Sequence, residues 1–188
     1  MADAREAALA ATAVHVFGTF TSGGKKMAVD FVLGNDGGKG SLKQGSARAD
    51  VVRVGNTAYM RATLSFWRQY AGAGVAQLLQ DKWLKGPATK QPFAAFAKFL
   101  SMRGLIGNAL KNSGNHGKLT NLGEKTYKGQ TVVAVKDSKD GSILYVAATG
   151  TPFPVGGVGA GSLGFKDWNK QVSVSPPKGA VDISQFGG

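Results

Sequence analysis

The central segment of the chain reads FAAFAKFLSMRGLIGNAL (residues 93–110) and places apolar side chains on two sides of a helix. The first face follows the i, i+3, i+4, i+7 spacing and consists of Phe93, Phe96, Ala97 and Leu100. A second apolar face beside it consists of Phe99, Met102, Leu105, Ile106 and Leu110. Lys98 and Arg103 interrupt the run, so it cannot supply the roughly 20 uncharged residues of a membrane span. Both faces must be covered. We expect a sheet on one and either protein core or a ligand on the other.

Strands are predicted on the N-terminal side of this segment. An alanine-rich helix at residues 4–13 precedes five strands, and Gly/Asn/Asp turns separate these strands. In the second strand Val29, Phe31 and Leu33 alternate with less apolar residues, which indicates one buried face. Helical spacing then follows at 64–79, broken by Gly72 and Gly74, and a brief strand is predicted at 82–85.

Strands are also predicted after the central helix, which should begin at Pro92 and break near Gly104 and Gly107. The predicted strands lie at 118–127, 130–136, 142–149, 165–169 and 171–175, and the glycine-rich segment 153–164 is predicted as a sheet edge. This order of elements indicates an α+β fold with an antiparallel sheet and helices on one face. A sheet of so many twisted strands should curl around those helices. We expect one domain over 1–188, with a core at 4–183 and a tail at 184–188.

The chain is strongly basic, with 23 Lys and Arg against 11 Asp and Glu and a net charge of +12. Such a charge attracts anionic phospholipid, nucleic acid or acidic polymers, but it also serves solubility alone, and composition does not separate the two. The chain has no cysteine, which excludes disulfides, thiolate metal sites and a thiol nucleophile. Residues 1–6 are charged and lack the apolar core of a signal peptide, so we expect Met1 to stand before a mature domain.

Motifs with catalytic or metal-binding chemistry are weak in this sequence. Residues 159–164 read GAGSLG and match G-x-G-x-x-G, but strand-like residues follow where a dinucleotide site needs a helix. His15 and His116 are isolated, and the few carboxylates have no spacing suited to general acid–base work. We therefore expect no enzyme activity, no metal and no cofactor.

Several runs resemble, in order, actinobacterial-type envelope lipoproteins of the LolA-like superfamily (LppX/LprG type). These runs are VHVFGTFTSGGKKMAVDFVLGNDGGKGSL (14–42), VVRVGNTAYMRA (51–62) followed by FW (66–67), DKWLKGPA (81–88), GSILYV (141–146) with PFP (152–154), and FKDWNKQVSVSPP (165–177). The similarity covers residues 4–183. It implies a half-barrel of antiparallel strands wrapped around helices on its concave face, with an apolar cavity between them. It also implies a secreted, membrane-anchored precursor with a lipid-modified cysteine just upstream, extracytoplasmic localisation in the cell envelope, and no catalytic residues.

Relatives in this superfamily bind acyl chains of lipids or glycolipids and pass them across the envelope or help to place them in it. We therefore predict a non-enzymatic monomer that binds a lipid or glycolipid and contacts the membrane surface through its anchor. The residues predicted to line the cavity are Phe66, Trp67, Tyr70, Leu78, Leu79, Phe93, Phe96, Leu100, Met102, Ile106 and Leu110. The residues predicted to meet an anionic head group at its mouth are Lys90, Lys98, Arg103 and Lys111.

Two other hypotheses compete with lipid binding. In the first, the helices fill the half-barrel completely, and the basic surface docks an anionic membrane, a cell-wall polymer or a partner protein. In the second, the basic and aromatic residues bind nucleic acid, but no recognised nucleic-acid module is present, so specific nucleic-acid binding is not expected. The aromatic residues of the helices fit ordinary core as well as a ligand cavity.

Overall fold

The computed structural model describes residues 2–97, 99–102, 104–105 and 116–183. The helices bounded within these residues are α1 (Ala2–Ala10), α2 (Leu64–Ala71), α3 (Ala73–Leu79) and α4 (Ala94–Ala97). The strands are β1 (Ala13–Ser22), β2 (Lys25–Gly34), β3 (Gly37–Gln44), β4 (Ala47–Val54), β5 (Thr57–Ala62), β6 (Leu84–Pro87), β7 (Leu119–Tyr127), β8 (Gln130–Asp137), β9 (Ile143–Ala147), β10 (Pro154–Val158), β11 (Gly161–Lys166) and β12 (Val181–Asp182).

The described strands form a single open sheet in the order β12-β6-β5-β4-β3-β2-β1-β11-β10-β9-β8-β7. Neighbouring strands are antiparallel, except that β12 runs parallel to β6. A sheet of this width curls because its strands twist. The predicted α+β class is confirmed: a curved antiparallel sheet with helices on its concave face.

Alternating side chains along the strands place the core on the concave face. In β2, Val29, Phe31 and Leu33 are buried while Asp30 between them is exposed. These residues form one cluster with Val14 of β1 and with Trp67 of α2. The predicted burial of one face of β2 is therefore confirmed.

The glycine-rich segment 153–164 was predicted as a sheet edge, and this prediction is wrong. It forms β10 and β11, which lie inside the sheet between β9 and β1. Its glycines make room for side chains on the convex face: a Cβ at Gly156 would lie 2.6 Å from the Tyr127 ring, and a Cβ at Gly164 would lie 2.6 Å from the Phe17 ring. Glycine marks close approach of neighbouring groups here, a role that is difficult to distinguish in sequence from flexibility.

The ends of several predicted elements also differ from the structure. The first helix ends at Ala10, because residues from Ala13 onward pair with β2. Strand β6 begins at Leu84 rather than at residue 82, and the central helix begins at Ala94, two residues after Pro92. Residues 99–101 already leave the helix before the predicted break at Gly104, whereas Gly107 lies outside the described residues.

The strands predicted at 165–169 and 171–175 are not present as such. Residues 165–166 belong to β11, and the chain then runs without regular structure to β12. Asn169 N–H donates to the Ala13 carbonyl (3.0 Å), Lys39 Nζ donates to the Ser173 carbonyl (3.5 Å), and Val181 N–H donates to the Trp83 carbonyl (2.8 Å). We call residues 167–183 the strap, because they connect β11 to β6 past the intervening strands.

Within the described part of the chain, the helices are all too short or too polar to cross a bilayer.

Candidate functional site

Residues 93–97 and 99–102 pack against the concave face of the sheet. Phe93, Ala97 and Leu100 are at most 1% exposed. Glycines opposite them provide the space: a Cβ at Gly86 would lie 2.4 Å from the Phe93 ring, and a Cβ at Gly38 would lie 3.2 Å from the Leu100 carbonyl oxygen. The first apolar face of the central segment therefore rests directly on β3 and β6.

Arg53 fixes the end of the short helix α4 to the sheet. Its Nη1 donates to the Ala97 carbonyl (3.1 Å), and its Nε donates to the Gly55 carbonyl (2.9 Å). The carbonyls at a helix C-terminus lack partners within the helix and attract positive charge. Arg53 thus supplies a donor and a cation at the point where the chain leaves α4.

The second apolar face of the central segment is only partly described. Met102 is buried, and Phe99 and Leu105 are half-buried. Ile106 and Leu110, which were predicted to complete this face, lie outside the described residues, and so do Lys98, Arg103 and Lys111 of the predicted head-group site.

Trp67 on α2 carries a buried donor without an acceptor. Its side chain is 4% exposed and meets Phe66 edge to face at 5.4 Å between ring centroids. Its Nε1–H has no hydrogen-bond partner within the part of the chain that the structure describes. Leaving such a donor unpaired costs about 1–3 kcal/mol. An oxygen atom of a bound molecule, such as an ester carbonyl, would satisfy it.

Large apolar side chains that remain partly exposed surround the closed core. The sheet contributes Phe20, Leu42, Leu163 and Phe165, and the helical layer contributes Leu64, Phe66, Leu79, Phe96 and Leu105. We call these nine residues the apolar border. Covering such surface with another apolar group is favourable, roughly in proportion to the area removed from water.

The predicted lining residues do not all come together. Trp67, Phe93, Leu100 and Met102 are in the buried core, and Phe66, Leu79 and Phe96 are in the apolar border. Tyr70 and Leu78 lie on the outside of α2 and α3, 61% and 66% exposed, and Lys90 is exposed. All of these assignments to a lipid site stay predictions.

The sheet residues of the apolar border were not predicted as site residues. A period-two pattern in the sequence could have found them. Leu163 and Phe165 are two residues apart in β11, and Phe20 follows Val16 and Gly18 at the same spacing in β1. The sequence pattern of these segments predicts an edge and an ordinary strand, and the predicted site therefore lies on the helices alone.

Two grooves lie away from the interface between helices and sheet. One, of about 350 Å³, lies at the strand ends between Gly34–Gly37 and strap residues 170–174. The other, of about 430 Å³, is lined by the charged residues Asp30, Lys39, Arg48 and Asp50, together with Trp83 and backbone of β3 and β4. Neither groove includes any of the residues predicted to line an acyl-chain cavity.

The charged groups of the second groove largely neutralise one another. Asp50 accepts hydrogen bonds from Arg48 (2.8 Å) and from Arg61 (3.0 Å), and the Arg61 guanidinium lies 5.0 Å from the centre of the Trp83 ring. Asp50, Arg48 and Arg61 thus already pair with one another at the surface, and the groove does not offer them as unpaired charges to a ligand.

His15 lies between two carboxylates on the convex face. Its Nε2 is 2.8 Å from Asp30 Oδ1, and its Nδ1 is 3.7 Å from Asp167 Oδ2. A hydrogen bond from Lys170, 2.6 Å away, holds the pKa of Asp167 below its ordinary value. The described residues include no group of three or more His, Cys, Asp or Glu arranged to hold a metal ion.

The positive charge of the protein is concentrated in the helical part of the chain. From residue 51 to residue 123 there are ten Lys and Arg but one acidic residue, Asp81, so this part carries +9 of the total charge of +12. The basic residues are dispersed in this range, and two of them have carboxylate partners outside it: Arg61 pairs with Asp50 (3.0 Å) and Lys85 with Asp182 (3.7 Å). Most of the net charge that could attract an anionic partner therefore belongs to residues 51–123 of the sequence.

Comparison with known proteins places the fold. No protein-family model matches the chain, and no curated protein matches it. Among solved structures, the lipoprotein LppX of Mycobacterium tuberculosis is similar over 93% of this chain and 95% of its own, with a TM-score of 0.51 and 16% sequence identity. The resemblance to the fold of LppX-type lipoproteins is thereby confirmed. At this identity the similarity concerns the fold alone.

Proposed function

We propose that this protein is a non-enzymatic lipid-binding lipoprotein domain of the cell envelope, which holds acyl chains between the curved sheet and the helices. The observation that carries the proposal is the apolar border, which surrounds a core containing the unpaired Trp67 donor. The similarity to a lipoprotein fold supports it. The sequence resemblance supports two further parts, a role in lipid or glycolipid transport and an upstream lipid anchor, and we propose that the domain is a monomer.

The acyl chain would enter along the apolar border, whose members Phe20 and Leu163 of the sheet and Phe66 and Phe96 of the helical layer all pack against the same buried core. Because Phe93, Leu100 and Met102 are fully buried, deeper entry requires the helical layer to move away from the sheet. Burial of each acyl-chain methylene is favourable by about 0.8 kcal/mol, so burial of eight methylenes would offset about 6 kcal/mol of the free-energy cost of that movement. Within the site, the Trp67 N–H would pair with a ligand oxygen.

The head group would remain outside, near exposed Lys90. Lys98, Arg103 and Lys111 complete this proposed basic mouth by sequence position, with Ile106 and Leu110 as further lining. An anionic or phosphorylated head group suits four cations in a segment without carboxylates.

Native mass spectrometry tests this proposal. Protein stripped of lipid by organic extraction and then offered phospholipid should bind it at a ratio of one to one. Leu163→Trp should reduce uptake roughly tenfold or more, because a larger side chain fills the border. Leu122→Trp on exposed β7 is the matched control and should leave uptake unchanged. Absence of any lipid, both co-purified and offered, would overturn the proposal.

A second function is favoured by one observation, the complete burial of Phe93, Leu100 and Met102 beneath the helical layer. In that case the helices close the half-barrel permanently, and the protein is an interaction module that docks an anionic membrane, a cell-wall polymer or a partner protein. Lipid uptake separates the two, because a permanently closed core takes up none.

A further inference from the structure

Exposed large apolar side chains are concentrated at one place on the surface. Six such residues occur in the described part of the chain, and three of them, Tyr70, Val75 and Leu78, lie within nine residues on α2 and α3. Single exposed apolar residues are normal, but a group rimmed by polar residues marks an interaction site. We call residues 70–78 the helical tip.

The outer side of the helical tip faces solvent, and its inner side is anchored in the core. A Cβ added at Gly72 or at Gly74 would meet no atom within 4 Å, so the junction of α2 and α3 is open on its outer side. Trp67 and Ala76 anchor the two helices in the core. Ser65 donates to the Ser46 carbonyl (2.8 Å), and Gln69 donates to the Gln44 side chain (3.1 Å), which ties α2 to the β3–β4 turn.

Cations without carboxylate partners flank the helical tip. Arg68 on α2 and Lys82 after α3 are exposed, and neither forms an ion pair with a described residue. Residues 64–80 contain no Asp or Glu, and the next carboxylate, Asp81, accepts a hydrogen bond from Gln80 (3.0 Å). Arg68 and Lys82 thus leave a net positive charge around the helical tip even with Asp81 counted. Basic residues around exposed aromatic and aliphatic side chains are typical of elements that lie in a membrane interface.

We propose that the helical tip docks on the surface of an anionic phospholipid bilayer, with Tyr70, Val75 and Leu78 entering the interface and Arg68 and Lys82 contacting phosphate groups. A bilayer fits better than a peptide partner, because the exposed apolar residues line neither of the two grooves and lie beside the open junction of two short helices. A purely charged polymer would use the cations but would leave the apolar side chains exposed.

This docking does not depend on the acyl-chain site, and it operates without a lipid anchor. It would direct the helical side of the protein toward the membrane. Docking by the helical tip would still occur if the half-barrel never admits a lipid. An experiment can therefore reject either proposal without rejecting the other.

A site-specific probe tests the contact directly. The chain has no cysteine, so Gly74→Cys gives a single labelling site for an environment-sensitive fluorophore, at a position with open space around it. Leu122→Cys on β7, the edge strand at the far end of the sheet, is the matched control. With phosphatidylglycerol-containing vesicles the label at 74 should shift to the blue, and the label at 122 should not. Equal responses at both positions, or none at position 74, would overturn the proposal.

Vesicle sedimentation of substituted proteins tests which residues contribute to membrane binding. Tyr70→Ser with Leu78→Ser should lower binding at least tenfold, whereas Leu9→Ser with Leu122→Ser, which removes two exposed apolar residues elsewhere, should not change it. Arg68→Gln and Lys82→Gln should each lower it about fivefold, and binding should weaken with salt and be lost on pure phosphatidylcholine. If the tip variants bind as wild type does while circular dichroism shows them folded, the proposed surface is wrong. Native mass spectrometry of the same variants reports acyl-chain uptake independently.

Discussion

At the residue scale, glycines on the concave face control how closely residues 93–102 approach the sheet. Gly86 faces the Phe93 ring, and Gly38 faces the Leu100 carbonyl. Both glycines lie on strands, where a larger side chain would ordinarily be favoured. Their small size lets an aromatic ring and a backbone carbonyl pack directly on the sheet.

Gly86→Ala should lower the free energy of unfolding by about 1–3 kcal/mol, because the new Cβ would lie 2.4 Å from the Phe93 ring. Gly74→Ala is the matched control. It adds the same methyl group in open space within α3 and should raise the free energy of unfolding by about 0.5 kcal/mol. Denaturant unfolding measures both. Equal effects of the two substitutions would contradict the close packing of Phe93 on β6.

The β8–β9 turn contains a carboxylate whose pKa lies below its ordinary value. Hydrogen bonds from Ser142 to Asp140 lower this pKa, and the Ser142 N–H is 2.8 Å from Asp140 Oδ1. Because the folded-state pKa is depressed, the resulting stability is present above the unfolded-state pKa and is lost as the pH falls through the folded-state pKa.

Ser142→Ala should therefore raise the pKa of Asp140 toward its ordinary value, as measured by NMR titration of the carboxyl group. The stability difference from wild type should be present at neutral pH and should shrink on acidification. Ser162→Ala, at an exposed position of β11, is the control and should leave the Asp140 titration unchanged. An unchanged titration in Ser142→Ala would show that its hydroxyl does not determine this pKa.

At the element scale, the strap covers the sheet edge at β6 by adding β12 in parallel. Val181 N–H donates to the Trp83 carbonyl (2.8 Å), and Ile183 N–H donates to the Lys85 carbonyl (3.0 Å). The opposite edge, β7, is protected differently, by a register shift between Asn121 and Glu124 that interrupts regular pairing.

Val181→Pro should lower the free energy of unfolding by roughly 1 kcal/mol, because proline has no N–H to donate to the Trp83 carbonyl. Val181→Ala keeps that N–H and, at a half-exposed position, should have little effect. Hydrogen exchange at the β6 amides should also accelerate in Val181→Pro alone. Identical behaviour of the two variants would mean that the strap does not stabilise this edge.

The elements that sequence could predict were those with a strong local pattern. Val29, Phe31 and Leu33 alternate clearly, and Gly72 divides α2 from α3 as expected. The second break predicted at Gly74 is wrong, because Gly74 lies within α3. The positions of β10 and β11 could not be predicted in the same way, because glycines carry no periodic signal and their partners, Phe17 and Tyr127, are distant in sequence. Strand β12 consists of two residues and depends entirely on pairing with β6.

At the scale of the whole molecule, a curved sheet packs against a layer of short helices. The fold could be predicted from the order of elements and from the family resemblance. The site could be predicted less well, because burial is a tertiary property: Tyr70 and Trp67 have similar character in the sequence, yet one is 61% exposed and the other 4%. Whether the layer opens depends on energetics that residue patterns do not encode.

Photo-crosslinking with a phospholipid that carries a diazirine on its acyl chain tests the central claim most directly. If acyl chains bind between the helical layer and the sheet, crosslinks should map to β1 and β11 around Phe20 and Leu163 and to residues 93–102 of the same molecule. Crosslinks confined to the helical tip at residues 70–78, or absent from the protein, would contradict an acyl-chain site inside the half-barrel.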